Sequence, residues 1–114
     1  MKSLLKTVVV ITLLLFGVVA TAQIQNSKTQ IVKVYGNCGM CKKTIEKAAN
    51  QKDIAIVDWN KNTKMATLTF DSKKTNQSDI LKKIALAGYD SEKIKAKDTD
   101  YDNLPGCCQY DRVK

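Results

Sequence analysis

Residues 31–49 read IVKVYGNCGMCKKTIEKAA, from Ile31 to Ala49, and the reading of this stretch decides the fold. It opens on a β-branched run, breaks at Gly36 and Asn37, sets Cys38 and Cys41 two residues apart, and continues as the start of an amphipathic helix. Branched side chains favour the pleated strand, and apolar positions recurring every three to four residues favour the helix. A Cys-x-x-Cys pair therefore stands at a strand-to-helix junction. There the first helical turn aims unpaired N–H groups and a partial positive charge at both sulfurs. That setting lowers a thiol pKa and favours the anion that binds soft metals or attacks disulfides.

Working outward, Thr29 to Tyr35 alternates as a strand, with Ile31, Lys33 and Tyr35 on one face and Gln30, Val32 and Val34 on the other. From about Cys41 to Asn50, Ile45, Ala48 and Ala49 share a helical face, while Lys42, Lys43, Glu46 and Lys47 turn to water. Two strands, Ile54 to Asn60 and Lys64 to Asp71, are joined by the polar turn Lys61-Asn62-Thr63. In the second of them Ala66, Leu68 and Phe70 alternate with Met65, Thr67 and Thr69, as in a sheet with one buried face. Thr75 is the expected cap of a second helix that carries Ile80, Leu81, Ile84 and Ala85, and Gly88 closes it. A short last strand is expected over about Glu92 to Ala96. The order β-α-β-β-α-β predicts an α+β, ferredoxin-like fold with two helices on one face of a four-stranded antiparallel sheet.

The amino terminus reads as a leader. Lys2 and Lys6 precede a nearly continuous apolar run from Thr7 to Val19, and Ala20-Thr21-Ala22 is a small-residue cleavage signal, which predicts cleavage after Ala22 and a secreted or periplasmic protein. The apolar run is shorter than the roughly 20 residues of a spanning helix, so no stable membrane insertion is expected once the leader is removed. The chain then divides into a signal peptide at 1–22, a flexible tail at 23–28, one domain at 29–97 and a cysteine-containing carboxy-terminal tail at 98–114.

Composition narrows the function. The chain of 114 residues has a formal net charge of +8, of which Lys2 and Lys6 belong to the leader. The remaining lysines are scattered and aromatic residues make up 6%, which argues against nucleic acid and for a solvated or acid-facing surface. With four cysteines and no histidine, thiolate is the soft ligand on offer besides methionine. There is no paired-carboxylate or histidine machinery, so no enzyme is expected.

The Cys-x-x-Cys between first strand and first helix, the hairpin KNTKMATLTFD and the helix ending ALAGYD together resemble the heavy-metal-associated domain family, which includes copper chaperones, the metal domains of copper-transporting ATPases and the periplasmic mercuric-ion carrier. The resemblance covers about Gln30 to Ala96. It implies that Cys38 and Cys41 are the metal thiolates and that Tyr89 shields the site. It also implies a copper(I) or mercury(II) cargo, and as partner a metal-transporting ATPase or another thiolate metal-binding protein. Family members usually carry methionine two places before the first cysteine. Here that place is Gly36, and Met40 stands between the cysteines instead.

Two thiolates suit copper(I) or mercury(II), which accept near-linear coordination, better than a structural zinc site, which takes about four ligands. An open two-thiolate site lets a partner's thiols enter before the first pair leaves, which permits hand-over by ligand exchange, and a metal shared between two chains would give a bridged dimer. Lys42 and Lys43 offer charge for docking an acidic partner. The tail, with Cys107 and Cys108 after Pro105-Gly106, can reach back: the ten residues from Lys97 span at most about 33–36 Å against a strand of about 20 Å. Cys107 and Cys108 are thus candidates for extra ligands, for a redox pair, or for a structural disulfide. The rival reading from another class is a thiol–disulfide oxidoreductase using Cys38 and Cys41, although the chain's one proline, Pro105, lies in the tail. A third is a domain stapled by two disulfides.

Overall fold

A computed structural model describes residues 24–113; the leader expected over 1–22 lies outside them. In chain order the elements are β1 (Ser27–Lys33), α1 (Gly39–Ala49), β2 (Ala55–Trp59), β3 (Met65–Asp71), α2 (Gln77–Leu86), a short α3 (Asp98–Asp102) and a 3-10 turn, Gly106–Cys108. Among the described residues no helix is long and apolar enough to cross a membrane.

The sheet is antiparallel in the order β1-β3-β2, with Val32 opposite Ala66 and Val57 opposite Leu68. Alternation in the sequence places Val32, Val57, Trp59, Ala66, Leu68 and Phe70 on the buried face, where α1 contributes Cys41, Ile45 and Ala49 and α2 contributes Ile80, Leu81, Ile84 and Ala85. Cys41 begins a helical i, i+4, i+8 stripe and is thereby a core residue as well as a thiol. The opposite sheet face carries the exposed Ile31 and Ile56.

Helix α1 also closes the β2 edge. Its Glu46 carboxylate accepts from the Trp59 N–H at 2.9 Å and its Asn50 side chain accepts from the Val57 N–H at 2.7 Å, so strand donors that would face solvent are satisfied by the helix. The hairpin forms as its polar turn suggests: Asn60 Oδ1 accepts from the N–H groups of Asn62 and Thr63, and Lys64 takes a positive φ of 64°.

Four expectations are corrected. First, β1 begins at Ser27 rather than Thr29, because β3 runs to Asp71 and offers Ser27 and Lys28 pairing partners; residues 27 and 28 are strand, not loose tail. Second, the cap of α2 is Asn76, whose side chain accepts from the Asp79 N–H, and not Thr75.

Third, the sheet has three strands among the described residues, and Glu92 to Ala96 forms no fourth. Only a bridge between Val34 and Ser91, with Tyr35 N–H donating to Asp90 O and Glu92 N–H to Lys33 O, marks the outer edge of β1 where that strand would lie. The segment folds on itself instead: Ser91 N–H donates to Ile94 O, and the Asp90 carboxylate captures the Ala96 N–H at 2.7 Å.

Fourth, the domain does not stop at Lys97. Leu104, Cys108 and Tyr110 belong to the one hydrophobic core, so the tail and the domain fold as a unit.

Helix α2 ends as the sequence suggests. Gly88 has φ 105°, its N–H donates to Ala85 O, and the Tyr89 N–H donates to Ile84 O, the paired bonds of a Schellman closure. A side chain at Gly88 would stand 2.7 Å from Asp100 O and 2.9 Å from Leu104 Cδ2, so this glycine is also where the tail crosses.

Candidate metal centre

The loop between β1 and α1 brings the two motif cysteines together. Cys38 is the amino-terminal cap residue of α1, in extended conformation and with no side-chain capping bond, so its sulfur is free to face outward. One helical turn on, Cys41 points into the core and is fully buried. Their sulfurs are 3.6 Å apart, and the Asn37 N–H donates to Cys41 Sγ at 3.4 Å. The Cys38 thiol is lowered to about 7, chiefly by the Cys41 N–H at the helix start and then by the Cys41 side chain.

Beneath this loop lies Trp59. Its indole N–H donates to Val34 O at 2.9 Å, and a side chain placed on Gly36 would meet the Trp59 ring at 3.0 Å and Cys41 Cβ at 3.3 Å. The indole therefore occupies the space that a methionine at Gly36 would need, a physical reason for the departure from the family pattern.

The tail enters the site from the other side. After α3, Pro105 starts the 3-10 turn that carries both tail cysteines, and the two go to different places. Cys108 is fully buried and its sulfur lies 2.7 Å from Cys41 Sγ. Cys38, Cys41 and Cys108 sulfurs all lie within 4.8 Å of one another. Burial, then the Cys41 sulfur, pushes the Cys108 thiol up to about 12. Cys107 stays exposed, with its sulfur 3.7 Å from the exposed Met40 thioether and 4.0 Å from Cys108. Its carbonyl faces Cys38 Sγ at 3.8 Å and accepts from the Asn37 side chain at 3.4 Å. All four cysteines are free.

Tyr89, expected beside the site, is fully buried next to Cys108. Burial raises its pKa, followed by the Cys108 and Cys41 groups. Its hydroxyl finds no hydrogen-bond partner among the described residues. Lys42 is not a free charge: its ammonium is held by Glu46, by Asp58 at 2.7 Å and by the Trp59 carbonyl at 2.9 Å. Its pKa is raised by Asp58 first and Glu46 second. Lys42 is thus ion-paired and half-buried, whereas Lys43 is exposed.

What holds the tail in place was not foreseen from the sequence. Tyr110 is buried, stacks against Tyr89 with centroids 6.0 Å apart and meets Tyr101 edge-on at 5.0 Å. Its hydroxyl donates to Gly88 O at 2.9 Å and accepts from the Asp90 N–H at 2.7 Å. Arg112 then locks Asp90 and also bonds Asp98 and the Ala96 carbonyl. Burial alone would raise the Asp90 pKa; the Arg112 hydrogen bonds and the Ala96 N–H outweigh it and hold the carboxyl below its usual range. The available signal was an apolar and aromatic spacing, Leu104 to Tyr110, inside a stretch that otherwise reads as polar turn.

No protein-family model and no curated protein matches the chain. Among solved structures, the chain is similar to the CopZ metallochaperone, with 30% identity and a TM-score of 0.53 over 56% of this chain and 98% of that one. It is also similar to oxidized MerP from Ralstonia metallidurans CH34, with 34% identity and a TM-score of 0.53 over 58% of this chain and 94% of that one. Both matches span little more than half of this chain.

Proposed function

The chain belongs to the heavy-metal-associated domain family, and from that premise we propose that it is an exported soft-metal carrier that takes up copper(I) on Cys38 and Cys41 and passes it to a partner by thiolate exchange. The observation that carries this reading is the pair itself: two sulfurs 3.6 Å apart at a helix start, one half-exposed and one buried. The buried Cys41 fixes one ligand against the core, and the reachable Cys38 is where a partner's thiol begins the exchange. CopZ is described as a metallochaperone, which supports the hand-over step. The similarity to MerP keeps mercury(II) as an alternative cargo, since both ions accept the same thiolate geometry. The partner is a metal-transporting ATPase domain or another thiolate protein, docked in part through Lys43.

The test is an anaerobic copper(I) titration of the reduced chain from Gln23 onward against a competing chromophoric chelator, beside the Cys38→Ser/Cys41→Ser variant. Tight binding that is lost in the variant supports the carrier, and a wild type that cannot outcompete the chelator overturns it. A second reading, thiol–disulfide exchange, is favoured by the placement of a partly exposed Cys38 at a helix start 3.6 Å from the buried Cys41, a setting that lowers its pKa. A reduction potential in the range of disulfide oxidoreductases, together with no copper binding, would select it.

A further inference from the structure

We infer that Cys108 is a third thiolate of the metal site, so that the ion is held by the sulfurs of Cys38, Cys41 and Cys108 and not by the Cys-x-x-Cys pair alone. The inference rests on the carrier reading and deepens it. With a metal–thiolate distance of about 2.3 Å, three sulfurs around a trigonal ion stand about 4.0 Å apart, whereas two sulfurs around a linear ion stand about 4.6 Å apart. The Cys38–Cys41 separation of 3.6 Å is nearer the trigonal edge than the linear span. With Cys108 included, the three sulfurs lie within 4.8 Å of one another, the group that a trigonal ion needs.

The third sulfur is brought there by a built clamp. Cys108 is buried on a turn pinned two residues later by Tyr110, whose hydroxyl bonds Gly88 and Asp90, and four residues later by Arg112 on Asp90. Its sulfur lies 2.7 Å from Cys41 Sγ, inside the about 4.0 Å edge of a trigonal site, so binding an ion requires these two sulfurs to move apart. Cys107, next in sequence but exposed and turned to Met40, is excluded from this role.

A second feature points to the same place. The Tyr89 hydroxyl is buried facing the Cys108 sulfur and makes no hydrogen bond of good geometry among the described residues. A metal-bound thiolate is an acceptor where a thiol is a poor one, so loading the site satisfies this donor. Each of the three sulfurs binds as a thiolate and any proton it carries goes to solvent, with no change in the ion's oxidation state.

The experiment uses the reduced protein loaded anaerobically with copper(I), measured by X-ray absorption and by chelator competition, in four forms: unaltered, Cys108→Ser, Cys107→Ser and Cys38→Ser/Cys41→Ser. The expected result is three sulfurs per copper in the unaltered protein and two in Cys108→Ser. Affinity should fall at least about tenfold in Cys108→Ser, the lower end of what losing even an outer partner of a metal site costs. Cys107→Ser should match the unaltered protein in both measurements. Two sulfurs per copper in the unaltered protein overturns the inference and leaves the carrier reading standing. Full affinity in Cys38→Ser/Cys41→Ser overturns the carrier reading itself. The sulfur count of the unaltered protein decides the matter even if Cys108→Ser fails to fold.

Discussion

Arg112 grips Asp90 at two points, Nε to Oδ2 at 2.9 Å and Nη2 to Oδ1 at 2.9 Å, and so fastens the last residues of the chain to the loop that follows α2. Asp90 is 3% exposed and its carboxylate would be a costly buried charge without that partner. Arg112→Ala should therefore destabilise the protein by about 3 kcal/mol at pH 7, as expected when one member of a buried pair is removed. Urea unfolding measures it, and limited proteolysis should show the region after Lys97 cut first. A loss under about 0.5 kcal/mol, the range of ordinary surface substitutions, would contradict the clamp.

The same pair sets an acid limit. Asp90 has a folded pKa held below its unfolded value of 3.8, so its contribution is complete above that value and is lost as pH falls through 3.8 toward the folded pKa. The stability gap between the unaltered protein and Arg112→Ala should accordingly be widest near neutral pH and shrink below about pH 4. Unfolding curves at pH 7, 5 and 3 check this; a constant gap would remove Asp90 from the account.

Tyr110→Phe keeps the ring stacking and deletes one hydroxyl that serves both Gly88 O and the Asp90 N–H. Leaving those two backbone groups buried and unpaired should cost about 1–3 kcal/mol. Thermal unfolding of the metal-free protein reads it directly, and an unchanged midpoint would show that water replaces the hydroxyl.

Thiol reactivity should divide by place. In the metal-free reduced protein, Cys38 alkylation should rise with pH through about 7, because the anion dominates above its lowered pKa. Cys108, buried and pushed up to about 12, should stay unmodified at pH 8. Timed alkylation with peptide mass analysis separates the sites; equal rates at Cys38 and Cys108 would contradict the arrangement.

Gly88→Ala tests the crossing of helix end and tail. It forces a side chain into φ 105° and against Asp100 O at 2.7 Å, so the cost should exceed the roughly 1 kcal/mol that bounds the gain at compatible glycine sites. A stable Gly88→Ala protein with an unchanged unfolding midpoint would mean that the tail can shift away.

Much of this arrangement was legible beforehand because it is local. Alternation placed Val32, Leu68 and Phe70 on one face, helical spacing placed Ile45 and Ile84, and the glycine at 88 closed α2 where expected. The strand expected at Glu92–Ala96 does not form because side chains outside it take its backbone groups: Asp90 takes the Ala96 N–H, and Arg112, itself held on Asp90, takes the Ala96 carbonyl. Propensity within a window of a few residues cannot register a competitor some twenty positions away. For the same reason the tail read as polar turn, since Tyr110 acquires its meaning only from Gly88 and Tyr89. The engagement of Lys42 by Asp58 likewise depends on how α1 lies across β2, which no spacing rule encodes.

Because Cys108 reaches the metal loop within its own chain, its encounter with Cys38 and Cys41 does not depend on dilution. A tethered group acts at an effective concentration of about millimolar or more. On the inference that Cys108 is the third thiolate, small-molecule thiols must exceed that figure before they displace it, and a neighbouring molecule meets a third position filled from within the chain.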